Sequence, residues 1–266
     1  MLLTTRRSFA LCTPIAIASA AYSAPVSAAA PARQTNIVVF CEETLRPAIE
    51  RVERRWRARG GTRLNIFVAR SDLLLEQIAR GARCDLLVAT GKVQADAAIE
   101  RKLVRPESVR LSWRNRLVVV GWNEAPPSDA VTASSEKIAA LIGDNKLAIA
   151  DFSVSAAGIE ARAALDRLGV WSSLEGKIVG SESTEGVVYL LATGVVKRGV
   201  VYRTNVAAEP HLTILAAIPD DAYSPVVYST ALTFSDATVA APQFLNFLRS
   251  TEMLPELMAS GLEIVG

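Results

Sequence analysis

The sequence predicts an α/β protein of two lobes, each holding a mainly parallel sheet flanked by helices. Two observations carry that expectation. From about residue 35 onward, short apolar runs rich in β-branched residues alternate with amphipathic segments, the pattern of buried parallel strands covered by helices. A stretch of loop composition, 123–135, with Pro126, Pro127, Ser128, Ser134 and Ser135, then separates one such series from a second.

Residues 36–41 (NIVVFC) read as the first strand. Leu45, Ile49, Val52 and Trp56 recur at helical spacing with Arg46, Glu50, Glu53 and Arg54 on other faces, and Gly60-Gly61 ends that helix. A strand over 64–68, a helix over 73–80 closed by Gly81, a strand over 85–89, a helix over 92–101 and a strand over 117–121 follow. The second series has strands at 146–150, 177–179 and 199–202, with helices at 157–168 and 184–192. A strand over 226–233 and amphipathic helical pieces at 244–248 and 253–258 complete the chain. The lobes are expected to divide as 34–116 with 229–266, and 117–228, with crossings near 117–121 and 226–233 acting as a hinge.

Composition bounds the function. Half of the 266 residues are hydrophobic and 21% are charged, so the chain buries one real core or two modest ones and is not disordered. With 29 basic and 27 acidic residues the net charge is +2, too small a field to indicate nucleic-acid binding. The segment 1–30 reads as a signal peptide. Thr5-Arg6-Arg7-Ser8-Phe9 resembles a twin-arginine start, an Ala-rich apolar run follows, and small residues place cleavage near Ala28 to Ala30. A periplasmic location is therefore expected. Cys12 leaves with the signal. Cys41 and Cys84 fall at the end of one parallel strand and the start of another, too far apart for the ~7 Å that a bridge needs, so two free, buried thiols are expected.

The chemistry-bearing motifs are mostly missing. His211 is the only histidine, so neither a metal cluster nor a Ser-His-Asp arrangement is readily assembled, and no Gly-x-Ser-x-Gly elbow or phosphate-binding glycine loop is present. The reading is a binding protein, not an enzyme, without cofactor or metal. A secreted α/β enzyme using Glu42, Glu43 or His211 is the rival, and a sensor without a permease a further alternative. What the sequence does offer is a set of strand-to-helix corners. Glu42-Glu43-Thr44, Arg70-Ser71-Asp72, Ser153 through Gly158, and Ser183-Thr184 each put a hydroxyl or a small residue where a helix begins. Free N–H groups and the helix dipole there favour an anion.

The stretch 67–89, with Phe67, the Ala69-Arg70-Ser71 turn, Gln77-Ile78 before Gly81-Ala82, then Asp85 and an apolar run, resembles the periplasmic molybdate-binding proteins. Val39 through Leu45 is similar to their first strand and turn. Ala157-Gly158-Ile159 with Leu168-Gly169-Trp171, Gly199-Val200-Val201-Tyr202, and the tail from Phe244 also fit, in the same order. The resemblance implies the type II periplasmic binding-protein fold with a two-strand hinge. It implies a monomer that binds a tetrahedral oxyanion, molybdate or tungstate, between its lobes and delivers it to an ABC permease. The ligand is then held as an oxyanion by Thr44, Ser71, the backbone at Ala157 and Thr184, and the Tyr202 hydroxyl. The same fold with another anion, such as an organic acid, stays open because the chain departs from the family pattern at Glu42, Glu43, Arg70 and Ala156. Glu42 and Glu43 are expected to point to solvent, and Arg70 and Arg203 to offset them or touch the ligand.

Overall fold

The computed structural model describes residues 36–126, 134–235 and 238–265; the expected signal segment lies outside them. The first series is β1 (Ile37–Glu42), α1 (Arg46–Ala58), β2 (Leu64–Ala69), α2 (Ser71–Ala79), β3 (Leu86–Thr90), α3 (Gly91–Glu100) and β4 (Arg110–Asn115). The chain then crosses to β5 (Leu117–Trp122), α4 (Ser135–Ile142), β6 (Leu147–Ala150), α5 (Ala156–Arg167), β7 (Ile178–Ser181), α6 (Thr184–Ala192), β8 (Arg198–Tyr202), α7 (Arg203–Ala208) and β9 (Leu212–Ala217). It returns as β10 (Val226–Leu232), α8 (Ala240–Leu248), α9 (Leu254–Ala259) and β11 (Glu263–Ile264).

Two sheets result, in the orders β11-β4-β10-β3-β1-β2 and β7-β6-β8-β5-β9. This is the two-lobed α/β architecture of a type II periplasmic binding protein. The sheets are mixed rather than mainly parallel. β1, β2 and β3 are parallel, as are β6, β7 and β8, but β10, β4 and β11 pair antiparallel in one lobe and β5 and β9 in the other. The cause is the crossing itself: β4 and β5 follow one another across Arg116, and a strand that arrives from the other lobe meets its new sheet from the opposite end. β10 belongs wholly to the first sheet, so the return crossing lies between Ile218 and Val226, before the expected boundary at 228/229.

Every residue of β1 is buried, because helices cover both faces of that sheet. Its side chains alternate: Ile37, Val39 and Cys41 join the core beneath α1, whereas Val38 and Phe40 pack with Leu74 and Leu75 of α2. α1 buries Ala48, Ile49 and Val52 on one stripe. Gly60 (φ +80°) ends that helix in the left-handed region where a Cβ is disfavoured. Cys41 stands opposite Val88 on the neighbouring strand β3, four residues from Cys84, about 13 Å at strand rise. Both thiols are free and buried, and burial holds them protonated, Cys84 up to about 12.

Asp85 stitches the first lobe at the amino ends of its strands. Its side chain, 1% exposed, accepts from Val38 N (2.8 Å), Arg83 Nη2 (2.9 Å) and Ser235 Oγ (2.6 Å). An amide in that position keeps the shape and can turn its NH2 to the Ser235 hydroxyl, but it removes the negative charge that strengthens the bonds from Val38 N and Arg83. Asp85→Asn is therefore expected to lower the unfolding free energy by about 1–2 kcal/mol, read as a reduced urea midpoint at unchanged m.

Candidate functional site

The carboxyl ends of β1, β2 and β3 face those of β6 and β8 across a cavity of about 290 Å³. The first lobe lines it with Glu42, Glu43 and Thr44 where β1 meets α1, with Arg70 and Ser71 where α2 opens, and with Thr90 and Gln94 at α3. The second lobe supplies Ser155, Ala156, Ala157 and Ile159 at the start of α5, and Tyr202 at the end of β8. Strand ends that run parallel within each lobe place the openings of successive helices at one edge, where ligands of such sheets sit.

Helix α5 presents its first turn to this cavity. The N–H groups of Ala156 and Ala157 have no helical carbonyl four residues back. Gly158 lets that turn rest directly on β6: a Cβ there would lie 2.3 Å from the Ala150 carbonyl oxygen and 2.5 Å from that of Asp151.

Three of the hydroxyl-bearing residues that line this space, Tyr202, Thr44 and Ser71, are in different states. Tyr202, 3% exposed, ends in a hydroxyl with no hydrogen-bond partner among the described residues. Burial, helped by the nearby Tyr228 and Glu42, pushes its ionisation further up, so it remains a donor. Thr44 Oγ1 lies 3.0 Å from the Tyr228 hydroxyl, which accepts from Asn115 Nδ2 at 2.9 Å. The fully buried Tyr228 proton then goes to Thr44, and the Thr44 proton is free for the cavity. Ser71 is already committed: its Oγ accepts from Thr90 N at 2.8 Å and donates to Glu42.

Glu42 does not point to solvent. It is 8% exposed and turns inward to Ser71, because period two along β1 puts it on the side of Val38 and Phe40. Burial pushes its carboxyl up to about 7, with the charge of Glu43 adding to the effect. Glu43 is half-buried on the cavity wall, raised by burial and then by the charge of Glu185. Arg70 lines the cavity but is held by Asp72 (Nη2–Oδ2 2.6 Å). Arg203 pairs with Glu263 at 3.4 Å on another face, away from the cavity. Thr184 stands behind the wall. Its Oγ1 accepts from Asn205 Nδ2 (3.2 Å), while Asn205 Oδ1 accepts from Tyr202 N (3.1 Å). Thr44, Ser71, Ala157 and Tyr202 are thus brought together, Thr184 only supports them, and Arg203 is elsewhere. Asn115, Tyr228 and Asn205 escaped notice in the sequence because they act through other side chains. His211 pairs with Glu209 and stacks on Trp122 (centroids 5.3 Å), outside the cleft lining.

The sequence profile of the bacterial extracellular solute-binding proteins matches residues 37–263. The chain belongs to this family. Among its relatives is the molybdate-binding protein ModA of Escherichia coli (strain K12), 26% identical over 235 residues, which are 88% of this chain and 91% of that one. The Azotobacter vinelandii periplasmic molybdate-binding protein superposes with a TM-score of 0.71 at 19% identity, covering 86% of this chain and all of that one. The sulfate-binding protein SubI from Mycobacterium tuberculosis H37Rv superposes with a TM-score of 0.68 at 11% identity, covering 87% and 88%. These structural likenesses show a shared fold. In this solute-binding protein the cleft between the lobes is the place for a small solute, and no group of three or more His, Cys, Asp or Glu side chains suited to a metal ion occurs among the described residues.

Proposed function

We propose that this chain binds a tetrahedral oxyanion, molybdate or tungstate, in the inter-lobe cleft and hands it to an ABC permease, acting as a periplasmic monomer after loss of residues 1–30. One observation carries the reading: the buried Tyr202 hydroxyl lacks a partner among the described residues yet lines the same cavity as Thr44 and the opening turn of α5. A buried donor left unmade costs about 1–3 kcal/mol, and an anion placed between the lobes satisfies it. Hydrogen bonds to a charged acceptor contribute about 1.5–3 kcal/mol each. Tyr202, Thr44 and the two α5 amides together offer about 6–12 kcal/mol, against about 8 kcal/mol for micromolar binding, before the costs of association and ordering. The ligand bridges groups from both lobes, so it favours closure about the two crossings.

A panel of molybdate, tungstate, sulfate, phosphate and small carboxylates tests this by thermal shift. At about 100 times Kd a ligand adds about 2.7 kcal/mol, a rise on the order of 5–10 °C for a chain of this size. Molybdate and tungstate are expected to raise the midpoint. Glu42 facing the cleft favours a second reading, an anion that carries its own proton. A rise with phosphate or a hydroxy acid, and none with molybdate, would replace the first reading with that one.

A further inference from the structure

We propose that Glu42 is a specificity-determining residue through which this cleft takes up its anion together with one proton. The inference rests on the oxyanion reading above and deepens it.

The geometry is a hydrogen bond that runs in either direction. Ser71 Oγ has one proton and two lone pairs. One lone pair accepts the Thr90 N–H. While Glu42 is ionised, the Ser71 proton goes to its carboxylate, and the serine shows the cavity only a lone pair, which repels an anion. Once Glu42 carries a proton, it donates to the second lone pair of Ser71. The serine proton then turns to the cavity as a further donor. One proton therefore removes a negative charge from the wall and adds a hydrogen bond to the ligand.

Burial and the neighbouring charge of Glu43 oppose ionised Glu42, and they prevail over the hydrogen bonds from the Ser71 hydroxyl, the Ser71 N–H and the Thr90 side chain that favour it. Glu43 stands next to it, Asp72 on α2 is neutralised by Arg70, and Glu185 on α6 bears on Glu43. Tyr202 from β8 and Tyr228 from β10 are buried phenols that remain neutral, and Cys41 on β1 is a neutral thiol. Arg70 is the cation that faces the pair, and its charge is already engaged. Burial and the Glu43 charge outweigh the hydrogen bonds from Ser71 and Thr90 and bring the Glu42 carboxyl up to about 7, and an anion in the cavity pushes it further in the same direction. Glu43 is the less suitable proton acceptor because it is more exposed and has no hydroxyl partner to reverse.

Calorimetry of the mature protein with molybdate tests this at pH 6 to 9, in two buffers of different ionisation enthalpy. By linkage, affinity is expected to be flat below about pH 6 and to fall up to tenfold per unit above about pH 7.5. Proton uptake at pH 8 is expected to approach one per molybdate. Glu42→Gln keeps a donor toward Ser71 in the place of the neutral acid, so it should bind at pH 8.5 about as wild type binds at pH 6, with no proton uptake. Molybdate binding by wild type without proton uptake overturns the inference and leaves the oxyanion reading intact. Uptake that persists in Glu42→Gln also overturns it, and moves the proton to Glu43. Absence of binding in both proteins at every pH overturns the oxyanion reading and this inference together.

Discussion

Gly158→Ala is expected to lower the stability of the protein by at least about 3 kcal/mol, and to weaken anion binding in whatever fraction still folds. The added methyl has no room: its position lies 2.3, 2.5 and 2.6 Å from the Ala150 and Asp151 backbone. No rotamer relieves a clash between a Cβ and a main chain, so the first turn of α5 must lift from the end of β6. Two consequences separate. Ala157, Ala161 and Leu165 lose their seat against the second sheet, where they are now buried, and that lowers the unfolding midpoint. The amides of Ala156 and Ala157 move away from Thr44 and Tyr202, and a site whose donors were preorganised loses affinity steeply with displacement. Gly180→Ala is the control. Nothing lies within 4 Å of a Cβ there and its φ is not positive, so urea unfolding should find it within about 0.5 kcal/mol of wild type.

The same glycine shows what the sequence can and cannot disclose. Its helix is legible from spacing, and so are the strands IVVFC and LVVVG, because a strand buried on both faces is apolar without interruption. β4 (RLSWRN) escapes that test. It opens on two exposed residues, then alternates half-buried and buried ones, and it carries two arginines, so pairing with β10 and β11 alone makes it a strand. α7 has six residues, too few for a period to register. β9 (LTILAA) is apolar enough to have been read. In the site, the corners are visible because strand ends and helix starts adjoin in sequence. The direction of Glu42 was available too: counting by two from Val38 and Phe40 places it toward α2. Adjacent acids suggest a solvated loop only when they lie beyond the strand, and Glu42 is the strand's last residue. The fate of Ser71 was not available, since the side chain that occupies it is 29 positions away.

Tyr202→Phe is expected to weaken oxyanion binding by about 10–100-fold while leaving the ligand-free protein as stable as before, or more so. The two signs have one cause. In the free protein the hydroxyl is buried without a partner among the described residues, which costs about 1–3 kcal/mol; phenylalanine keeps the ring where it packs and removes that cost. In the complex the hydroxyl donates to a charged oxygen, and losing such a bond forfeits about 1.5–3 kcal/mol. Tyr228 supplies the contrast. Its hydroxyl is satisfied by Asn115 and Thr44, so Tyr228→Phe leaves one Asn115 N–H without its acceptor, the other going to Thr204, and should lower stability by about 1 kcal/mol. Urea unfolding and molybdate titration on both variants decide the matter. A residue that only packs loses stability and affinity together when it is altered. A donor held in reserve for the ligand moves them in opposite directions, and equal losses at Tyr202 would place its hydroxyl outside the binding chemistry.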